Sequence, residues 1–254
     1  MNLFETLLYY LSVPKCTSCN ERLSRTEHAL CNKCKSEYDN FLRRNCSICA
    51  KPLYECSCTN DYLDAHYVHK LIKVFRYKQD GGEKANSLIY SLKRDNRRDV
   101  LKFVSEELAS SILNSIEIGD GFIVTSIPRI EKSIIKYGID HAALLGRSVA
   151  KILGIEYKKL LISKSKTQQK HAEGREARIR NVDFRIKRGT KDITGKNVIL
   201  VDDIVTTGAS MGHAATLIKG LGARKIIGAS IAIAYKDSYV RFDESDRFKP
   251  TYQK

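Results

Sequence analysis

No apolar run in this 254-residue chain reaches the roughly 20 residues that a membrane-spanning helix needs, so the sequence offers no span. The opening stretch, MNLFETLLYYLSVP, is apolar, but it carries Glu5 and lacks a basic segment ahead of its apolar part. Those features argue against a signal peptide. We read residues 1–14 as a short amphipathic helix stopped by Pro14, and the want of an export signal makes the cytoplasm the expected compartment. Cysteine is absent from the 196 residues after Cys58, so no disulfide framework ties the larger part of the chain. No internal repeat or long low-complexity segment occurs, which sets aside repeat arrays.

The eight cysteines that are present all fall between residues 16 and 58, in pairs: Cys16/Cys19, Cys31/Cys34 and Cys46/Cys49 as C-x-x-C, and Cys56/Cys58 as C-x-C. A C-x-x-C knuckle turns two sulfurs toward one ion, and four thiolates complete a tetrahedral Zn²⁺ shell. Repeated knuckles in a cytoplasmic chain favour metal over disulfides, and redox C-x-x-C motifs usually occur singly. Sequential pairing gives one site from Cys16, Cys19, Cys31 and Cys34 and a second from Cys46, Cys49, Cys56 and Cys58; interleaved pairing remains open. With four protein ligands and no vacant position, each zinc is expected to be structural. So small a unit, residues 15–60, hardly forms a core without such staples.

The net charge of +15 lies entirely beyond this module. Residues 1–65 hold eight basic and eight acidic side chains, and residues 66–254 hold 36 and 21. An excess of this size on one domain points to polyanions. In that domain, expected over 61–254, strands alternate with helices. Phe122–Thr125, Lys196–Asp203 and 223–234 read as buried strands; 101–116, 141–153 closed by Gly154, and 210–221 read as helices. The run around Val68–Phe75 reads only as a short ordered segment before the Gly81-Gly82 turn. Continuous apolar strands between helices imply a parallel sheet covered on both faces.

NVILVDDIVTTGAS, 197–210, carries the chemistry. Ligands of such sheets bind at the carboxyl ends of the strands. Asp202 and Asp203 sit at that end, where acceptor-only side chains suit the vicinal hydroxyls of a ribose. Thr206, Thr207, Gly208, Ala209 and Ser210 then offer successive backbone N–H groups, hydroxyls and a helix N-terminus, which together form an anion cradle. Diol acceptors followed by a phosphate cradle describe a ribose 5-phosphate site.

The stretch VILVDDIVTTGAS resembles the phosphoribosyl pyrophosphate (PRPP) signature of type I phosphoribosyltransferases. Together with the paired cysteines, LIKVFRYKQD, SIPR, KYGIDHAALLGRSVA and KTQQ…REARIRNVDF, it makes most of the chain similar to the ComF family of competence proteins. The resemblance implies a type I phosphoribosyltransferase-like parallel sheet flanked by helices, preceded by a small cysteine-rich double zinc-ribbon module. It further implies that Ser126–Arg129 form a pyrophosphate loop with Arg129 as a ligand, and that Mg²⁺ accompanies PRPP near Asp202 and Asp203. The family's Arg-Gly-Phe-Asn-Gln stretch is here Tyr137-Gly138-Ile139-Asp140-His141, a departure.

The segment 158–188 holds eleven Lys/Arg against Glu173, Glu176 and Asp183. By resemblance it is a mobile loop over the substrate. Its basic residues, Lys164, Lys166, Lys170, Arg175 and Arg178 among them, could instead grip a phosphodiester backbone or form a solvated face. Three readings follow. One is a competence protein that binds PRPP and handles incoming single-stranded DNA without sequence specificity, with DNA-uptake or helicase proteins as possible partners. The second is an active phosphoribosyltransferase with an unidentified nitrogenous acceptor. The third is a PRPP sensor without turnover.

Overall fold

The structure is a computed structural model that describes residues 14–46, 49–77, 81–129, 134, 139–163, 184–190 and 192–234. The expected helix over 1–14 therefore lies outside the described residues, Pro14 apart.

Five parallel strands form the central sheet: β1 (Val68–Arg76), β2 (Phe122–Ser126), β3 (Glu156–Tyr157), β6 (Asn197–Val205) and β7 (Lys225–Ile233), in the spatial order β1-β7-β6-β2-β3. A separate antiparallel pair, β4 (Leu161–Ser163) with β5 (Phe184–Ile186), brackets the basic segment. The helices are α1 (Asn32–Leu42), α2 (Asp61–Ala65), α3 (Glu83–Arg94), α4 (Arg98–Ser115), α5 (His141–Leu153) and α6 (Ala209–Gly220). Local signals set their ends. Asp140 caps α5 by accepting from the Ala143 amide at 3.1 Å, and Gly154, at φ +68°, stops it in the left-handed conformation that favours glycine.

The central strand β6 shows why the sheet is covered on both sides. Ile199 and Val201 belong to one apolar cluster with Leu108, Leu145 and Val149 of α4 and α5. Val198 and Leu200 belong to the other, with Met211, Ala214 and Ile218 of α6. Alternation along the strand thus feeds two cores.

Two features depart from the sequence expectation. The run around Val68–Phe75 is a full strand and forms the sheet edge beside β7. Strand β6 does not end at the acids: it pairs with β7 through Asp202↔Ser230, Ile204↔Ala232 and Val205↔Ile233. The carboxylates therefore stand within the strand's last turns of pleat, and α6 starts at Ala209 rather than Ser210.

The cysteine-rich segment packs directly on this body. Leu23, Leu30, Tyr38 and Phe41 share a cluster with Ile72, Val74 and Phe75 of β1. Tyr38 meets Phe103 edge-on at 5.7 Å, and its hydroxyl donates to Glu107 of α4 at 3.1 Å. At the β1 edge the Leu71 amide donates to the Ser57 carbonyl at 3.1 Å, so the segment pairs one of the backbone groups that an edge strand otherwise presents.

Candidate functional site

The carboxyl end of β6 is where unlike charges converge. Asp203 is 3% exposed and receives the Arg129 guanidinium from the loop after β2 and the Lys93 ammonium, 3.4 Å away, from the last turn of α3. Its Oδ1 also accepts from the Ile204 amide at 2.9 Å. Burial pushes the Asp203 carboxyl up, but Arg129 and Lys93 outweigh it and hold the group below the usual carboxylate range. Asp202 behaves oppositely. Burial, and then the negative charge of Asp203, push it well above that range, although it accepts from the Asp203 amide at 2.9 Å. The pair thus holds one charge more readily than two. Since the side chains of a strand alternate, Asp203 follows Ile199 and Val201 toward the α3–α5 layer and Asp202 follows Leu200 toward the α6 layer. The two acids are brought to one strand end but address it from two sides.

His141, the first residue of α5, lies 3% exposed beside this group and donates from Nε2 to Asn96 Oδ1 at 2.7 Å. Burial, then the Arg129 charge, push its imidazole down, so it stays neutral near pH 7. Asn96 adopts φ +50° in the α3–α4 turn. Lys93, Asn96 and His141 are the parts of the site that sequence reasoning missed. A lysine at a helix end carries no local mark of its partner; the only available signal was the departure of 137–141 from the family's pattern.

The loop after β6 supplies the anion-binding half. Thr206 is exposed, Thr207 and Ser210 are half-buried, and Gly208 and Ala209 are buried. Gly208 has φ +86°, and a Cβ there would meet Leu63 Cγ of α2 at 2.9 Å, so both backbone and space require glycine. As N-cap of α6 it has no side chain to occupy the helix end. Thr207 Oγ1 accepts from the Ala209 amide at 3.3 Å. Of the expected pyrophosphate loop, Ser126 ends β2, 6% exposed, with its hydroxyl 2.8 Å from that of Tyr157, while Arg129 reaches Asp203. Lys164, Lys166, Lys170, Arg175 and Arg178 lie outside the described residues.

The cysteines form two groups, Cys16/Cys19/Cys31/Cys34 and Cys46/Cys49/Cys56/Cys58, in each of which all four Sγ atoms lie within 4.8 Å of one another. Sequential rather than interleaved pairing is realised. All eight are free thiols. A tetrahedral zinc with Zn–S of about 2.3 Å sets sulfurs about 3.8 Å apart, and Cys19 and Cys31 stand at 3.6 Å. Both groups could therefore hold zinc. Crowding shows in the first group: burial opposes ionisation of Cys16, yet the amides of Cys19, Cys31 and Ser18 bring it down to about 7, whereas burial and its neighbours push Cys34 up to about 12. The second group rests on β1, where two buried cations face it. Lys73 is 0% exposed and donates to the Cys58 carbonyl at 2.8 Å, and Arg76 Nη2 lies 3.7 Å from Cys46 Sγ.

Residues 139–249 match the family model described as the phosphoribosyl transferase domain. Among curated proteins, ribose-phosphate pyrophosphokinase of Thermococcus kodakarensis is 39% identical over 80 residues, which is 32% of this chain and 24% of that protein. The ribose-phosphate pyrophosphokinase of Pyrococcus furiosus is 31% identical over 122 residues, 48% of this chain and 37% of that one. The chain thus spans only about a quarter to a third of the length of these relatives. Among solved structures, adenine phosphoribosyltransferase from Leishmania tarentolae is similar with a TM-score of 0.39 and 14% identity, covering 65% of this chain and 92% of that one. The segment that carries α5, β6, the 206–210 loop, α6 and β7 is a phosphoribosyltransferase-like domain.

Proposed function

We propose that this protein binds PRPP together with Mg²⁺ at the carboxyl end of its sheet, and that it serves as a competence protein of the ComF kind, handling incoming single-stranded DNA in the cytoplasm. The observation that carries the PRPP reading is Asp203: a buried carboxylate already neutralised by Arg129 and Lys93, immediately before a loop of backbone donors. A pyrophosphate entering beside Arg129 competes with Asp203 for both cations. Asp203, so released, is an acceptor for a ribose hydroxyl, and Asp202 approaches the same strand end from the other side. The 5-phosphate then falls to the amides and hydroxyls of Thr206, Thr207, Gly208, Ala209 and Ser210. The donor set fits a hard divalent cation, since two carboxylates that resist joint ionisation offer oxygen ligands. Bound with PRPP, Mg²⁺ would supply neutralisation of the pyrophosphate charge at Asp202 and Asp203.

Zinc at both cysteine groups would hold the N-terminal module together. The DNA half of the proposal draws on the ComF resemblance and on the positive charge of the large domain. DNA-uptake or helicase proteins would be its partners.

Titration calorimetry of PRPP with Mg²⁺ tests the site. Binding that weakens at least tenfold in Lys93→Ala and Arg129→Ala, with folding kept, is expected; no heat of binding in the wild type overturns the reading. The match of 139–249 to the transferase model favours a second reading, transfer of ribose 5-phosphate to a nitrogenous acceptor. Pyrophosphate release that requires an acceptor and disappears in Asp203→Asn would establish it.

A further inference from the structure

At the opposite end of the sheet, the amino ends of the parallel strands border a cleft of about 580 Å³. It is walled by Tyr67 just before β1, by Phe122 and Asn197 at the starts of β2 and β6, and by the ends of α4 and α6. At about 3.3 Å per residue, the stretch of β6 from Asn197 to Asp203 puts it about 20 Å from the carboxylates, so it is a second site rather than an extension of the first.

Three features of this cleft go together. Its lining carries Lys70, Lys219, Arg224 and Lys225 against the single carboxylate of Glu117; its histidine, His69, already bonds Asp64 at 2.7 Å. Among the described residues, no carboxylate pairs with Lys70, Arg224 or Lys225. Tyr67 is held at φ +68°, a strained conformation for a bulky side chain, and is 44% exposed.

The carbonyl ends of α4 and α6 favour cations here, and that alone explains one lysine. Lys219 meets that demand by its place in the last turn of α6, and its ammonium donates to the Ala223 and Arg224 carbonyls of the following turn at 3.1 and 3.3 Å. The other three cations exceed it. Fixed positive charge and an aromatic surface around a volume within the range of about 300–1,000 Å³ usual for small-molecule sites suit a phosphate joined to an aromatic base.

We propose that this cleft binds a nucleotide unit of single-stranded DNA, Lys70, Arg224 and Lys225 gripping its phosphates and Tyr67 flanking its base. The assignment rests on the DNA-handling reading above but not on the PRPP site. Its test is fluorescence anisotropy of a labelled oligothymidylate across a salt series, on the zinc-loaded 254-residue chain and on the triple variant Lys70→Glu/Arg224→Glu/Lys225→Glu, with PRPP calorimetry alongside. The variant is expected to bind the strand at least tenfold more weakly, and to lose about 2 from the slope of log K against log salt, at about 0.7 per phosphate contact. Its PRPP affinity stays within twofold. Should the reversal variant fail to fold, Lys70→Gln/Arg224→Gln/Lys225→Gln gives the same readout in smaller steps. Unchanged strand binding in a folded variant overturns the cleft assignment while the DNA-handling reading survives. A wild type that binds no strand overturns both. A free mononucleotide that binds the cleft as tightly as the strand overturns the strand as its occupant.

Discussion

Replacing Lys73 by methionine keeps the length and apolar stem of a fully buried side chain and deletes its charge. The consequence depends on what fills the second cysteine group. A zinc with four thiolates carries two net negative charges, and the two buried cations beside it, Lys73 and Arg76, balance them. Burial pushes the Cys56 thiol up, and the Lys73 ammonium pulls against that effect. With zinc bound, Lys73→Met leaves a buried negative charge uncompensated and the Cys58 carbonyl without its donor. Breaking a buried pair costs about 3–5 kcal/mol. At about 2–4 °C per kcal/mol for a chain of this size, the melting temperature should fall by about 6–20 °C. After chelation burial keeps the Cys56 and Cys58 thiols protonated and the ammonium itself becomes the buried charge without a counter-ion, so the same substitution should be neutral or stabilising. Thermal unfolding followed by circular dichroism, on zinc-loaded and chelated protein with metal content measured in parallel, reads both arms. Equal melting temperatures for wild type and Lys73→Met in the zinc-loaded state, with two zinc ions per chain in each, would refute the charge-balance argument.

Further outcomes follow from the carboxylate site. Gly208→Ala should lose about 1–2 kcal/mol to left-handed backbone strain alone; a double-mutant cycle with Leu63→Ala, read by denaturant titration, should show the steric part as a favourable coupling while that strain persists in both backgrounds. Asp203, lowered in the folded state, contributes stability that is present above its unfolded pKa of about 4 and is lost as pH falls through the folded value. Arg129→Met should therefore flatten the acid limb of the stability–pH profile below about pH 4. Asp202, raised in the folded state, favours folding only below its unfolded pKa, and that contribution is lost as pH rises through the folded value. Asp202→Asn should thus stabilise the fold at pH 7 by urea titration while weakening PRPP binding by calorimetry, and destabilisation at pH 7 would contradict the assigned direction. Zinc analysis of the purified chain should return two ions, and their removal by a strong chelator should lower the melting temperature of the wild type.

What could be read directly from the chain was local. The pairs Cys16/Cys19 through Cys56/Cys58 announce two ligand sets because a knuckle needs only its own few residues, and the structure groups them in that order. The strand, turn and helix from Asn197 to Gly220 are equally legible, because apolar continuity, Gly208 and the helical spacing lie within one short segment. Tertiary packing decided what those segments meet. LIKVFR reads only as a short ordered segment; it is a full strand paired with β7, and the cysteine module packed on it gives Lys73 a carbonyl and Arg76 a thiol to face. That Asp203 is held by Arg129 and Lys93 follows from bringing the β2 loop and the end of α3 to one strand terminus, across 74 residues in the case of Arg129. A side chain's partners at such separations are set by how layers stack on the sheet, and no local spacing encodes them.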